Sequence, residues 1–241
     1  PMNFNYNKIF NFKETLKNDD LKFFVKNGYV VYRDLYNKSE FGKAKQFLLN
    51  KYSILKKKFN SKKNKIDSWK LATEISENFE NSNISINMYK SGKLLDILKK
   101  YLGPDICVFN KKCSYIVDPV FKNYSTKLNP HVDGWVGNSV DMLQVNTFVT
   151  KADKFNSMIF YPGSHLFGLL PVKNRELDKK IKLNIKPIAL DKIQEGDVLI
   201  FHPLILHGTK ISNNNQNFRF SVGDRFKSFE KQLTSQESSL G

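Results

Sequence analysis

The second half of the chain consists of short, β-rich runs separated by turn residues, and this pattern constrains the fold more than any other feature. Aliphatic and aromatic residues cluster in segments of strand length, and polar or turn-forming residues interrupt them. Several short strands at such spacing are typical of a β-sandwich or barrel. The predicted strands after residue 105 are 106–117, 139–149, 157–161, 184–190, 197–201, 204–211 and 217–226.

The first hundred residues show a mainly helical pattern instead. Apolar positions recur with helical spacing, and we predict Ser39 and Ser91 as N-caps of the second and last helices. The predicted elements are helices over 14–27, 40–58 and 92–101, a short helix from Trp69 onward, and a strand over 29–32. The chain is therefore predicted to be mainly β with N-terminal helices (α+β).

His131-Val132-Asp133 places an imidazole and a carboxylate close together in the chain. The stretch around them has no helical apolar period, Pro130 disfavours helix before it, and Gly134 ends the run. Residues i and i+2 of an extended segment point to the same side, so these two side chains can chelate one metal ion. Taken alone, however, so short a motif indicates a solvated turn more often than a metal site.

A third ligand must come from elsewhere, and two histidines are candidates. His207 stands at the end of a hydrophobic strand pattern, before Gly208, and His202 lies five residues earlier. In one unbroken strand this odd offset puts the two on opposite faces, although Pro203 can interrupt the strand. We predict His207 as the ligand and His202 as a packed or hydrogen-bonded neighbour. Two imidazoles and one carboxylate are the ligands of the facial triad in non-haem Fe(II) oxygenases.

Other motifs follow in a matching order, and together they carry a family resemblance. They are Pro162-Gly-Ser-His165, Glu195-Gly-Asp197, His207-Gly-Thr209 and Phe218-Arg-Phe-Ser221. With the H-x-D motif, and with residues 20–31 as an opening helix and strand, they resemble the phytanoyl-CoA dioxygenase family of Fe(II)/2-oxoglutarate oxygenases. The resemblance covers roughly residues 18 to 226. It implies a double-stranded β-helix (a jelly-roll, cupin-like core) flanked by helices.

The resemblance also implies roles for the matched residues. His131, Asp133 and His207 would bind Fe(II), with 2-oxoglutarate and O2 as co-substrates. Arg219 would bind the distal carboxylate of 2-oxoglutarate, which suits a planar guanidinium. Ser221 shares a strand face with Arg219 and would add a hydroxyl group. The alternative for Arg219 is a surface arginine, and Arg225 is then the reserve candidate.

Two further pocket residues are assigned from the resemblance. His165 would line the co-substrate pocket, or it stabilises the turn that Pro162 begins. Asn146 stands near the position where many family members carry a tryptophan beside the co-substrate. Family members usually have a glycine before the strand that leads into P-G-S-H, and Asn156-Ser157 stands there in this chain. The lysine that many members carry before H-x-D has no clear equivalent here.

The carboxylate of Asp133 favours one reaction class over another. Related halogenases carry a small residue at this position, which opens a site for halide. With the carboxylate present, the resemblance implies hydroxylation or a related oxidation at an unactivated C–H bond. The substrate it implies is a small metabolite or biosynthetic intermediate, either anionic or neutral.

The net charge of +16 leaves three interpretations open. Nucleic-acid binding, steering of an anionic substrate, and plain surface lysine all produce such an excess. The lysines are spread along the chain, which favours the third. Lys111, Lys112 and Arg225 either face an anionic group or are solvated strand ends, and Trp135 and Tyr115 either line the pocket mouth or pack in the core.

Length and composition predict one cytoplasmic domain. No apolar run is long enough for a transmembrane helix, and the start of the chain lacks a signal-peptide core. Cys107 and Cys113 are predicted to be free and buried. We expect a mostly helical part over 2–104, a jelly-roll core over 105–228 and a tail over 229–241.

One alternative function remains at this stage. A jelly roll can keep its metal site without turning over 2-oxoglutarate, either as a cupin-like isomerase or as a nucleic-acid or ligand-binding module. Arg219 discriminates, since it has no fixed role without a co-substrate carboxylate.

Overall fold

Two β-sheets of unequal size form the centre of the computed structural model, and helices cover the larger one. The structure describes residues 5–12, 18–60, 68–109, 112–120, 129–136, 138–173, 176–178, 180–212 and 217–231. The helices within these ranges are α1 (Asp19–Asn27), α2 (Lys38–Asn60), α3 (Ser68–Glu80), α4 (Asn83–Lys90) and α5 (Leu94–Leu102). Two short 3₁₀ turns, Asp133–Val136 and Ser164–Phe167, follow later in the chain.

Strands β1 and β2 come from the N-terminal part, and the others follow the helices. The strands are β1 (Ile9–Asn11), β2 (Tyr29–Arg33), β3 (Ile106–Val108), β4 (Cys113–Val117), β5 (Met142–Phe148), β6 (Met158–Phe160), β7 (Val172–Lys173), β8 (Glu176–Leu177), β9 (Ile188–Ala189), β10 (Val198–Phe201), β11 (His207–Thr209) and β12 (Arg219–Ser228). The prediction of short strands after residue 105 is confirmed, although most are shorter than their sequence patterns.

The strand order is that of a jelly roll. The larger sheet has the order β1-β2-β10-β5-β12-β3, with β4 also paired to β12, and the smaller sheet has the order β11-β6-β9. The sheets meet through aromatic side chains: Phe160 of β6 stacks on Tyr29 at 5.0 Å and meets Phe201 edge-on at 5.5 Å. The predicted fold class, a double-stranded β-helix flanked by helices, is confirmed. The sheet also joins both halves of the chain, because β2 pairs with β10.

Strand β12 has candidate site residues on one face and core-packing residues on the other. Phe220 and Phe226 contact Tyr52 of α2 and Tyr89 of α4, so the even-numbered residues face the helices. Because side chains alternate along a strand, the odd-numbered residues from Arg219 onward face the space between the sheets. This alternation divides β12 into an outer face toward the helices and an inner face toward the site.

The N-terminal helices begin at residues other than those predicted. Asn37, not Ser39, caps α2: its side-chain oxygen accepts hydrogen bonds from the backbone N–H groups of Ser39 at 2.9 Å and Glu40 at 3.3 Å. Ser91 ends α4, and the last helix starts only at Leu94. The predicted N-caps Ser39 and Ser91 were therefore both wrong. Asn37 takes the cap position of α2 in place of Ser39, and Ser91 lies in the turn that ends α4.

Lys56, Lys57 and Lys58 lie in the last turns of α2, at the end of the predicted helix over 40–58, and Lys56 forms an ion pair with Asp118 at 2.6 Å. Cys107 and Cys113 are free, as predicted, but they are half-buried and lie on separate strands. Of the predicted tail over 229–241, residues 232–241 lie outside the described residues.

A buried charge cluster lies under the outer face of β12. Asp224 is 1% exposed and accepts hydrogen bonds from Lys112 Nζ at 2.5 Å and from the Tyr89 hydroxyl. The Lys112 ammonium also lies 4.6 Å from the centre of the Tyr89 ring. Burial, and then Asp224, raise the pKa of Tyr89 well above its ordinary value, so its hydroxyl remains a donor. The cluster links the segment before β4, α4 and β12.

Replacing Asp224 by alanine is expected to lower the free energy of unfolding by about 3–5 kcal/mol, because the Lys112 ammonium then stays buried without its counter-ion. Urea denaturation measures the change. The double variant Asp224→Leu with Lys112→Met is expected to recover most of the loss, since it removes both charges. An Asp224→Ala protein as stable as the unaltered one would show that Lys112 escapes to solvent.

Candidate metal centre and co-substrate pocket

A two-residue backbone bridge brings His131 and His207 side by side. The N–H of His131 donates to the carbonyl of His207 at 2.8 Å, and the N–H of His207 donates back at 2.9 Å. The two imidazole rings are then 4.4 Å apart, centre to centre. Residues 76 positions apart in the chain are therefore neighbours because β11 closes the edge of the smaller sheet.

Asp133 reaches the two histidines from a 3₁₀ turn, not from an extended strand as predicted. The turn begins at Asp133, and the Trp135 N–H donates to the carbonyl of Val132 at 3.1 Å. Even so, an Asp133 carboxylate oxygen lies 3.6 Å from His131 Nε2. One ligand atom from each of His131, Asp133 and His207 lies within 4.8 Å of the others, close enough to hold a metal ion together. These three residues are called the metal-binding cluster below.

Backbone carbonyls orient both imidazoles. His131 Nδ1 lies 2.8 Å from the carbonyl oxygen of Asn129, and His207 Nδ1 lies 3.0 Å from that of Ile205. A carbonyl oxygen only accepts, so each Nδ1 carries the proton and each Nε2 keeps a lone pair. Such second contacts fix the tautomer and orientation of metal-binding histidines.

Burial and the neighbouring charges set the protonation of the three ligands, and they hold His207 and Asp133 in the forms that bind a metal. Burial lowers the pKa of His207 to about 4, so this imidazole is neutral at pH 7. Burial would raise the pKa of Asp133, but the contact with the His131 imidazole at 3.6 Å and the charges of His207, His131 and Arg225 outweigh it and hold that pKa below its usual range. Burial lowers the pKa of His131, but the contacts with Asp133 and the Asn129 carbonyl raise it above its ordinary value.

These shifts predict how metal binding depends on pH. A metal displaces the proton of His131, whose raised pKa means that it stays protonated to a higher pH than an ordinary histidine. We therefore expect metal affinity to fall as the pH drops through this raised pKa, whereas His207 begins to compete only near pH 4. Calorimetric titration with Co(II) across this range measures the effect. A His202→Gln control should keep the same profile, and a flat profile above pH 5 would contradict the prediction.

Arg219 lies in the same cavity and is buried without an acidic partner in the described part of the chain. Its side chain is 1% exposed, one terminal nitrogen donates to the carbonyl of Asn156 at 2.8 Å, and its Nε has no hydrogen-bond partner. Burial lowers the pKa of Arg219 to about 10, so the guanidinium is still charged at neutral pH. Burying an uncompensated charge is unfavourable, and such a group provides a site for an anion.

The other predicted co-substrate residues lie beside Arg219. Ser221 is fully buried on the same face of β12, and its hydroxyl has no partner among the described residues. Asn146 lines the cavity from β5, and among the described residues its amide contacts the sulfur of Met158 alone, at 3.6 Å. The structure thus places Arg219 and Asn146 in the cavity that His131 and His207 line, with Ser221 on the same strand face as Arg219.

Several residues that line the cavity had no role predicted from the sequence. The walls also include Tyr115, Met158, Phe201, Gly208 and Thr209. Thr209 could have been found, since it lies two residues after His207 on β11 and therefore shares its face. Tyr115 was predicted only as one of two mouth residues. Burial, then the neighbouring Cys113 and Asp133, raise its pKa well above the ordinary value, so its hydroxyl stays protonated.

His165 is placed away from the metal-binding cluster. Its Nε2 lies 3.1 Å from the carbonyl of Val25, and its ring packs on His202 at 5.3 Å. Gly28 leaves room for the His165 ring, because a Cβ at this position would lie 2.5 Å from His165 Nδ1. Gly28 is also the C-cap of α1, with a φ of 81°. His202 accepts a hydrogen bond from Leu204 N–H at 3.1 Å, in keeping with its prediction as a packed, hydrogen-bonded neighbour.

The remaining candidates divide between core and cavity. Trp135 donates from Nε1 to the carbonyl of Leu170 at 2.7 Å and packs on a small apolar cluster outside the cavity. Lys112 is buried against Asp224 instead of being a solvated strand end, and Lys111 lies outside the described residues. Arg225 lies on the inner face of β12 and is half-buried.

The residues present fit a divalent metal and a dicarboxylic keto acid. Two imidazoles and a carboxylate are ligands that suit iron, and they hold one side while other positions stay open. The unpartnered donors of Arg219 and Ser221 suit a carboxylate. A jelly roll with this cluster and a buried arginine defines the class of non-haem iron oxygenases that use 2-oxoglutarate.

The family follows from a direct comparison. The family model for phytanoyl-CoA dioxygenase (PhyH) matches residues 24–221. The chain therefore belongs to the phytanoyl-CoA dioxygenase family, and its cofactors are iron and 2-oxoglutarate, with O2 as oxidant. None of the curated proteins matches the chain in sequence.

Solved structures with the same fold include several oxygenases. The apo non-heme monooxygenase ThoJ has 17% identity and a TM-score of 0.64, over 87% of this chain and 77% of that one. The epimerase SnoN, in complex with Fe3+, alpha ketoglutarate and nogalamycin RO, has 14% identity and a TM-score of 0.65, over 90% and 84%. EctD from S. alaskensis, with 2-oxoglutarate and 5-hydroxyectoine, has 15% identity and a TM-score of 0.64, over 88% and 76%. At these identities the likeness shows the fold.

No helix within the described ranges has both the length and the apolar character needed to cross a membrane.

Proposed function

We propose that the protein is a hydroxylase that oxidises an unactivated C–H bond of a small, anionic metabolite. In this proposal His131, Asp133 and His207 bind the iron, and Arg219 with Ser221 binds the distal carboxylate of 2-oxoglutarate. The observation that carries it is the buried charge of Arg219, which lines the same cavity as the histidines of the metal-binding cluster and has no acidic partner in the described part of the chain.

The protein's own residues have distinct tasks in this chemistry. The iron, when bound, supplies the site at which 2-oxoglutarate and O2 react. His131, Asp133 and His207 hold it from one side, which leaves room for both co-substrates. Phe201 and Met158 line the cavity with apolar surface that limits the access of water to the reacting groups.

Two polar groups of the cavity can orient what binds there. The Tyr115 hydroxyl keeps its proton because burial raises its pKa, so it donates a hydrogen bond without supplying a proton to the reaction. The Asn146 amide has only a sulfur contact in the described structure, which leaves its stronger hydrogen-bonding capacity for a ligand. Buried polar groups without good partners are typical of sites that a ligand completes.

Asp133 supports hydroxylation over halogenation, since its carboxylate occupies the position where a halide would bind. The fold alone does not choose among oxidations, because the similar structures include the epimerase SnoN and the carbocyclase SnoK. The net charge of +16 agrees with an anionic substrate, because an overall positive field raises the encounter rate of anions, although lysines spread along the chain give the same excess without such a role.

The proposal is tested by anaerobic reconstitution with Fe(II), followed by addition of O2 and 2-oxoglutarate. Succinate is then measured with a panel of metabolites that pairs each carboxylate or phosphate with its amide or alcohol counterpart. We expect succinate in excess over the substrate-free control with one anionic compound, and a product that gains one oxygen atom from labelled O2. A product without that oxygen atom would contradict hydroxylation, and salt-sensitive nucleic-acid binding without succinate would favour the alternative of a binding module.

A further inference from the structure

A short segment after the P-G-S-H turn exposes four large apolar side chains to solvent. Leu166, Phe167, Leu169 and Val172 are between 46% and 68% exposed, and they fall within seven positions of the chain. Single exposed apolar residues are ordinary on a protein surface, whereas a local concentration of them marks an interaction site. We call these four residues the apolar patch.

The fold holds this segment in place on both sides of the exposed residues. Ser164 is fully buried, and its hydroxyl accepts a hydrogen bond from the backbone N–H of Leu206 at 2.8 Å. Leu170 is buried in the small apolar cluster, and its carbonyl accepts a hydrogen bond from Trp135 Nε1 at 2.7 Å. Three members of the apolar patch lie between these two anchors, so the folded chain itself presents them to solvent.

The apolar patch lies between the metal-binding turn and a second cavity. A Cβ on Gly134, the residue after Asp133, would lie 3.1 Å from Leu169 Cδ1. At the other end, Val172 pairs with Leu177, which lines an open cavity of about 380 Å³. The other apolar side chains of this cavity come from Tyr161, Leu183 and Leu206. Tyr161 and Leu206 adjoin the inward-facing Phe160 and His207, so the cavity is on the outer face of the smaller sheet.

Exposed lysines follow the apolar patch in the same stretch of chain. Lys173, Lys180, Lys182 and Lys186 are all exposed. Over residues 166–190 the sequence has six basic residues and two acidic ones, in a chain whose net charge is already +16. This surface therefore attracts an anionic partner, and like charges oppose its pairing with a second copy of the chain.

The residue types distinguish between an acidic protein and an anionic lipid surface. Protein interfaces depend mostly on Trp, Tyr and Arg, with Leu and Val under-represented and Lys depleted. Leu, Phe and Val beside several lysines are instead the composition of segments that lie in the membrane interface, where apolar side chains enter the headgroup boundary and lysines contact anionic headgroups. The observed composition favours the lipid surface.

We propose that the apolar patch and the lysines that follow it form a peripheral binding surface for an anionic lipid membrane. Leu166 and Phe167 enter the boundary between headgroups and acyl chains, and Lys180 and Lys182 contact the anionic headgroups. Such a surface occupies one leaflet and needs no long apolar run, so the absence of a spanning segment in the sequence did not indicate it. The inference is independent of the proposed function, because it requires neither metal nor co-substrate.

The test is co-sedimentation of the full chain with lipid vesicles. Vesicles of phosphatidylcholine alone are compared with vesicles of phosphatidylcholine mixed with phosphatidylglycerol. We expect binding to the anionic vesicles that weakens as salt is added, and little binding to the neutral ones. Leu166→Ser with Phe167→Ser should weaken binding about 10-fold or more, because it removes two side chains from the apolar boundary. Lys180→Gln with Lys182→Gln should weaken it by roughly 10-fold at low salt.

Matched controls change the same kinds of residue on the opposite side of the molecule. Ile54→Ser with Phe229→Ser alters two equally exposed apolar residues, on α2 and just after β12. Lys43→Gln with Lys57→Gln removes two lysines from α2. Both control pairs should bind anionic vesicles as the unaltered protein does. The melting temperature of each variant shows whether it is folded, and all the altered apolar side chains are exposed.

A fluorescence measurement distinguishes insertion from adsorption by charge alone. Phe167→Trp places an indole in the apolar patch, and its emission should shift to shorter wavelength on anionic vesicles, beyond any shift shown by the unaltered protein with Trp69 and Trp135. Binding without that additional shift, or equal binding by the Leu166→Ser with Phe167→Ser variant, would overturn the proposal. Salt-sensitive binding to soluble polyglutamate without vesicle binding would also overturn it, in favour of an acidic protein partner.

Discussion

Replacing Asp133 by alanine is expected to abolish succinate formation and to weaken metal binding by at least about 100-fold, since even outer partners of metal ligands are worth about 10–100-fold. Asp133 supplies the only anionic ligand of the cluster in the described part of the chain, and its carboxylate lies 3.6 Å from His131 Nε2. Without it, two neutral imidazoles remain to hold a divalent ion. Anaerobic Fe(II) titration and single-turnover succinate measurement give the two readouts.

The control for Asp133→Ala is Glu195→Ala, which removes a carboxylate from an exposed ion pair with Lys45. It should retain both metal affinity and turnover. An Asp133→Ala protein with full activity would disprove the assignment of the facial triad, and one with normal metal affinity but no turnover would limit the role of Asp133 to chemistry after metal binding.

Replacing Arg219 by methionine is expected to weaken 2-oxoglutarate binding by roughly 30-fold or more, because losing one partner of a buried, hydrogen-bonded charge pair costs about 2–5 kcal/mol. Metal affinity should stay unchanged, since Arg219 is not one of the three clustered ligand residues. Calorimetry with 2-oxoglutarate and with the metal alone separates the two effects.

The same variant is expected to be more stable than the unaltered protein when 2-oxoglutarate is absent. The guanidinium is 1% exposed and has no acidic partner among the described residues, and burial already lowers its pKa to about 10. Methionine fills similar volume without a buried charge, so the melting temperature without co-substrate should rise while the stabilisation by 2-oxoglutarate disappears. A lower melting temperature with unchanged 2-oxoglutarate affinity would show that Arg219 has a structural role only.

Local patterns predicted much of the fold correctly. Strand-length apolar runs gave β5, β10 and β12 in nearly their observed positions, and helical spacing gave α2 to within two residues at each end. Helix starts were less predictable. Asn37 replaced Ser39 as the cap of α2, and Ser91 ended one helix instead of starting another. Several polar residues near a helix end can make the same hydrogen bond, and tertiary packing decides which one does.

The site was predictable wherever its residues follow one another along a strand. The inner-face positions of Arg219 and Ser221 follow from the period of two, as does the wall position of Thr209. The place of His165 did not follow from its motif, because the turn that carries it packs against the carbonyl of Val25 from α1. Asp133 belongs to the cluster through a 3₁₀ turn that its sequence did not indicate.

The sequence by itself determined the ligand types, the β-rich architecture and the family, because these depend on residue identity and on short-range periodicity. Only the tertiary structure decided which distant residues meet. The bridge between His131 and His207 closes the metal-binding cluster, and the pairing of β12 with β4 and β5 sets Tyr115 and Asn146 against Gly223.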